Sequence, residues 1–138
     1  MKLKTPILLL VVLLFFAAAC SNDNDPLTPP DYSDLVKGNW LGVAGAQGDT
    51  LSFDMTLDAE KNEITGTSKF EINGERVEDL NITGTIDYPT VNLHFKSSIS
   101  DFTFRGAFLA TNSDNISGEL QNQKYGAVPI IFVKQKSN

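Results

Sequence analysis

Apolar and polar side chains alternate along most of the chain, and this constrains the fold more than any other feature of the sequence. In the segment 50–58, Leu51, Phe53, Met55 and Leu57 share one face, while Ser52, Asp54, Thr56 and Asp58 share the other. A period of two belongs to a strand with one buried face, since a helix requires a period of 3.6. The same pattern returns in Ile64, Gly66, Ser68, Phe70 and Ile72, then in Leu80, Ile82, Gly84 and Ile86, and again in Val91, Leu93 and Phe95. Phe102, Phe104, Gly106 and Phe108 continue it, followed by Ile116, Gly118 and Leu120. Turn-forming residues divide the 104 residues from Leu35 to Asn138 into eight pieces averaging 13 residues, a strand and a turn each. The predicted strands are Leu35–Ala44, Thr50–Asp58, Glu63–Ile72, Arg76–Asp87, Thr90–Ser97, Asp101–Thr111, Asn115–Asn122 and Val128–Gln135.

Asn73-Gly74 is a strong hairpin signal because both positions tolerate positive φ. Pro89 and Pro129 are expected at strand starts, where a missing N–H does no harm. Eight antiparallel strands with one apolar face can form a closed barrel or a sandwich. Short hairpins throughout favour an all-β, up-and-down, closed barrel, which leaves no exposed edges. A membrane-spanning barrel also alternates, but its aromatic residues gather as Tyr and Trp girdles. Here phenylalanines are spread along the strands on the apolar side, so the apolar face is expected to point inward.

The first 19 residues have a different character. Lys2 and Lys4 precede the apolar run Ile7 to Phe16, then Ala17-Ala18-Ala19 and Cys20 follow, which is the order of a secretion signal. The run is shorter than the ~20 residues of a permanent membrane span. Ala17-Ala18-Ala19-Cys20 resembles the bacterial lipobox, with Ala17 where that family usually has Leu. The resemblance implies a lipoprotein whose Cys20 thiol is acylated and becomes the first residue after cleavage. Ser21 resembles the sorting residue of outer-membrane lipoproteins, and Ser21-Asn22-Asp23-Asn24-Asp25 resembles an acidic surface-export signal. From Ser21 to Asp34 there is little to bury, and Pro26, Pro29 and Pro30 add stiffness, so a tether is expected. The expected organisation is signal peptide 1–19, lipidated cysteine and tether 20–34, and barrel 35–138. Two or three acyl chains, each worth about 0.8 kcal/mol per buried CH₂, would anchor such a protein permanently.

Gly38-Asn39-Trp40, placed at the start of the first of eight strands, resembles the calycin group of lipocalins, fatty-acid binders and avidins. The resemblance implies that Trp40 plugs the closed end of the barrel. Gly66 and Gly84 are expected at a similar height, either making room for the indole or letting the strands coil. Ile64-Thr65-Gly66-Thr67 is similar to an avidin strand, but avidin pockets use several tryptophans and this chain has one.

Removal of the leader would leave 9 basic against 17 acidic residues, a charge of −8, which argues against nucleic acid as a partner. One cysteine excludes an internal disulfide, and one histidine excludes a His-pair zinc site. His94 lies on a polar face and reads as solvated rather than as a general base, and Asp58, Glu60 and Glu63 match no calcium loop. Asp49-Thr50-Leu51 resembles a bacterial O-glycosylation sequon, and Gly42 to Gly48 reads as a flexible first loop without the helix a phosphate cradle needs. No catalytic residue, metal or cofactor is expected; what remains is binding. Gln47, Arg76, Ser98 and Tyr125 are expected to rim the open end, above Leu51, Phe53, Phe70, Leu80, Phe95 and Phe102, where a small apolar molecule would sit. A barrel of eight strands either fills with side chains or holds one small ligand. Leu41, Val43, Ile131 and Val133 are expected to face outward together, an apolar patch fit for a protein partner.

Overall fold

A computed structural model describes residues 28–137; the expected signal peptide, Cys20 and the expected export signal lie outside these residues. Eight strands form one closed antiparallel barrel in chain order: β1 (Gly38–Ala46), β2 (Asp49–Glu60), β3 (Glu63–Ile72), β4 (Glu75–Asp87), β5 (Thr90–Lys96), β6 (Phe102–Leu109), β7 (Asn112–Asn122) and β8 (Gly126–Lys134). Alternation does what period two demands. Along β2, Leu51, Phe53, Met55, Leu57 and Ala59 are buried, and every second residue between them is outside. Cross-strand register carries the apolar face around the ring, as in Gly42↔Phe53↔Phe70 and in Leu93↔Phe104↔Leu120. All seven phenylalanines of the described residues are buried. The Asn73-Gly74 turn has the expected positive φ values, 54° and 82°.

Several local expectations are corrected. Leu35 and Val36 do not begin a strand: Ser33–Val36 is a single helical turn, α1, lying across the closed end. Residues Asp31 to Asp34, expected in the tether, are fastened to the barrel. The Tyr32 N–H donates to Asn62 Oδ1 (2.7 Å), the Asn62 N–H donates to Ser33 Oγ (3.0 Å), and Tyr32 stacks on Tyr88 at 5.1 Å. Gly42 to Ala46 is strand, not flexible loop, and only Gln47-Gly48 turns. Gly42 belongs there because the Phe132 ring lies against it; a Cβ would come within 2.4 Å of that ring. Pro129 is the fourth residue of β8 rather than its start. It is tolerated because β8 pairs with β1 only through Trp40↔Lys134, Leu41↔Val133 and Gly42↔Phe132, leaving one side of Pro129 without a ladder.

Trp40 is fully buried, its Nε1–H donating to the Val36 carbonyl at 2.7 Å. Phe108 packs edge-on at 6.2 Å and the Lys134 ammonium lies 5.4 Å from the ring centre. The indole thus fills the closed end together with α1. Gly66 and Gly84 serve a different neighbour. A Cβ on Gly66 would lie 2.3 Å from the Thr56 carbonyl oxygen, and one on Gly84 would lie 2.1 Å from that of Asn92. The indole is not among the nearest atoms in either case, so these glycines admit adjacent backbone as the strands coil.

That geometry separates the glycines experimentally. Gly66→Ala and Gly84→Ala should each lower stability by about 1–3 kcal/mol, the usual cost of overpacking. Gly45→Ala, whose Cβ would meet nothing within 4 Å, should change stability by less than about 0.5 kcal/mol. Urea unfolding followed by tryptophan fluorescence measures all three.

Candidate ligand site at the open end of the barrel

The turns joining β1 to β2, β3 to β4, β5 to β6 and β7 to β8 gather at the end opposite Trp40. Asp49 ties three of them together. Its carboxylate accepts from Asn73 Nδ2 (2.9 Å) and from the Tyr125 hydroxyl (2.9 Å), with Lys124 Nζ at 3.6 Å. Those hydrogen bonds, Asn73 first and Tyr125 second, hold the Asp49 carboxyl below its ordinary pKa. Gln47 Nε2 adds a bond to the Lys124 carbonyl at 2.9 Å.

The fourth turn, from Ser97 to Asp101, is held by two carboxylates. Asp101 accepts from the Ser97 N–H (3.0 Å) and from Lys96 Nζ (3.3 Å), and lies 2.9 Å from His94 Nε2. The Ser97 N–H is the main cause of its lowered pKa. Glu78 reaches across from β4 and accepts from the Ser97 hydroxyl, the Ser98 hydroxyl (2.9 Å) and the Ser98 N–H (3.1 Å). Its pKa is lowered as well, chiefly by the Ser97 hydroxyl. Asn122 Nδ2 donates to the carbonyls of Ser100 (3.2 Å) and Asp101 (3.0 Å), completing the frame.

Within this frame lies a cavity of about 120 Å³. Phe70 and Phe102, in edge-to-face contact at 5.1 Å, belong to its lining, as do Ile72, Val77, Ile99 and Tyr125. Glu78, Ser97, Ser100, Asn122 and Lys124 supply the polar groups. Ile99, 83% exposed at the tip of its turn, borders the cavity.

Below the cavity the lumen is occupied. Phe53 meets Phe70 at 4.9 Å, Phe102 at 5.3 Å, Phe95 at 5.4 Å and Phe132 at 6.3 Å. Of the residues expected to contact a ligand, Phe70, Phe102 and Tyr125 line the cavity, whereas Leu51, Phe53, Leu80 and Phe95 are fully buried and support it from beneath. Arg76 is not at the mouth. A β-bulge between Phe70↔Glu78 and Glu71↔Arg76 inserts Val77, which shifts Arg76 to the outer face, where it pairs with Asp79 at 2.7 Å. The bulge also explains why Val77 reaches the cavity, whereas Glu78, opposite Phe70 in regular register, shares the inward face of Leu80 and was missed because it is charged. Ile99 did carry a visible signal, a lone isoleucine among the serines of a turn.

The outward patch is present. Val43 and Ile131 are 54% and 49% exposed, with Leu41 and Val133 close behind. Leu41 and Val133 are paired across the last rungs of the β1–β8 ladder, and Val43 and Ile131 stand just beyond it, where the strands are no longer paired. Among the described residues, no group of three or more His, Cys, Asp or Glu side chains is arranged to hold a metal ion.

No known protein family and no curated protein matches the chain. Solved structures do. A de novo designed fluorescence-activating β-barrel superposes with a TM-score of 0.61 at 14% identity, covering 78% of this chain and 100% of the designed one. A redesigned barrel bound to DFHBI superposes with a TM-score of 0.55 at 11% identity, over 75% of this chain and 97% of that one. A second redesigned barrel gives 0.55 at 13% identity, over 75% and 95%. At these identities the likeness concerns the fold.

Proposed function

We propose that this chain is a non-catalytic binding protein that takes the apolar end of a small molecule into the mouth of its barrel, and that it is held at the outer membrane by lipidated Cys20. The cavity over Phe70 and Phe102 carries this reading: its floor is aromatic, its rim offers a few oriented polar groups, and it opens to solvent. Its size narrows the ligand. A cavity of about 150 Å³ accepts one benzene, so an open recess of about 120 Å³ takes most of one ring or a short alkyl tip, the remainder of the ligand lying outside over the turns. The redesigned barrel bound to DFHBI supports the general point that an eight-stranded barrel can hold a small molecule. The anchor rests on the sequence alone, on the lone cysteine at the end of the lone apolar run.

A second reading, an accessory module docking through Leu41, Val43, Ile131 and Val133, is favoured by one observation. The patch borders strand edges that β1 and β8 leave unpaired beyond Gly42↔Phe132, and such edges are where another chain adds on.

Titration with phenethyl alcohol, a neutral probe with one ring, followed by NMR, should shift the resonances of Phe70, Val77, Ile99 and Phe102. Ile99→Asp should weaken binding about tenfold, in line with a lost isoleucine contact. No shifts at millimolar probe, or shifts only elsewhere, would discard the mouth as a site. Cys20→Ser should move the protein from the membrane fraction to the soluble one; retention in the membrane would disprove lipid anchoring. For the second reading, Val43→Asp with Ile131→Asp should abolish co-purification of any partner captured by the wild-type protein from its own envelope, and an unchanged set of partners would eliminate it.

A further inference from the structure

The charges around the mouth are not equivalent. Lys124, the cation of the cavity lining, is already engaged, lying 3.6 Å from Asp49, 2.9 Å from the Tyr125 hydroxyl and 4.5 Å from the centre of the Tyr125 ring. Asp101 faces His94 and Lys96. Glu78 differs from both. It lines the cavity, it is only partly exposed, and among the described residues it forms no ion pair; its partners are the hydroxyl and N–H groups of Ser97 and Ser98. Donors of this kind stabilise the ionised carboxylate without cancelling its charge. The mouth therefore combines a fixed, uncompensated anion with the aromatic rings of Phe70, Phe102 and Tyr125.

Resting on the reading of the mouth as a ligand site, we infer that its ligand is an amphiphilic cation, a small apolar group bearing an amine or quaternary ammonium that sits against Glu78 with the apolar end over Phe70 and Phe102. The two halves of the site favour this class for separate reasons. A charge-assisted hydrogen bond to a carboxylate is about twice as strong as a neutral one, and aromatic faces attract a cation within about 6 Å. An anion would meet Glu78 with nothing free to oppose it, because Lys124 would first have to leave Asp49. A neutral ligand of the same shape would gain the apolar contact alone.

The experiment uses three probes of one ring size, phenethylamine, phenethyl alcohol and phenylacetate, titrated into the full mature chain and followed by NMR at Phe70, Ile99 and Phe102. The amine should bind about tenfold more tightly than the alcohol, and the acid most weakly. Glu78→Gln can keep its oxygen on the Ser98 N–H and hydroxyl while its amide donates to Ser97 Oγ, so the turn should stay in place, as the Ser98 amide resonance will report. In that variant the amine should fall to the affinity of the alcohol, whose own binding should not change. Glu75→Gln, on the same strand but outside the cavity, removes one negative charge without touching the site and should leave all three affinities unaltered. Equal binding of amine and alcohol, or an equal loss in Glu75→Gln and Glu78→Gln, would overturn the inferred cation preference while leaving the mouth a binding site. Failure of all three probes to bind would overturn both.

Discussion

Phe53 stands at the centre of this protein, touching four other phenylalanine rings at 4.9 to 6.3 Å. An eight-stranded barrel has a lumen about as wide as the side chains that point into it, and here rings occupy that width. Because the middle is solid, chemistry is displaced to the two ends. One end is stoppered by Trp40 and α1; the other keeps a shallow recess whose floor is the upper surface of the same aromatic cluster. The position, depth and apolar character of the proposed site all follow from how completely Phe53 and its neighbours fill the space beneath.

The two ends are built differently. At the closed end, aromatic stacking joins the hydrogen bonds of α1: Tyr32 lies on Tyr88, Tyr88 near Phe108 at 5.9 Å, and Phe108 against Trp40. At the open end the fastening is polar, with carboxylates accepting from the amide, hydroxyl and N–H groups of neighbouring turns. Apolar contact resists solvent and suits a stopper. Directed hydrogen bonds hold a rim in shape without covering it, which a recess open to ligand requires.

Most of the fold was legible because period two is a local property. Leu51 to Ala59, or Val91 to Phe95, announce their buried face within a handful of residues. What escaped depended on contacts between distant segments. α1 is one turn long, too short to stand by itself; it forms because Asn62, 29 residues beyond Ser33, is positioned to bond it. The extra residue Val77 in the β4 bulge reversed the facing of Arg76, and a single-residue slip of this kind inverts every later assignment on its side until pairing resumes. The roles of Gly66 and Gly84 required knowing which carbonyl passes over each. The cavity was only half visible: Phe70, Phe102 and Tyr125 were found from periodicity and turn order, whereas Glu78 and Asn122 hold inward positions of β4 and β7 opposite Phe70 and Phe102 but, being polar, carry no apolar signal, and Ile99 sits in a turn that has no period.

The seam between β1 and β8 brings the two ends of the barrel domain side by side. The Gln135 N–H donates to the Asn39 carbonyl at 2.8 Å, and Lys134 Nζ reaches the Leu35 carbonyl at 3.1 Å. Every strand is thus joined to both neighbours in space, and seven of the eight junctions are also joined covalently by a short connection. The position of the chain break is in that sense arbitrary. A circularly permuted polypeptide, spliced across the seam and opened at one of the other hairpins, would encode the same ring of strands around the same aromatic centre.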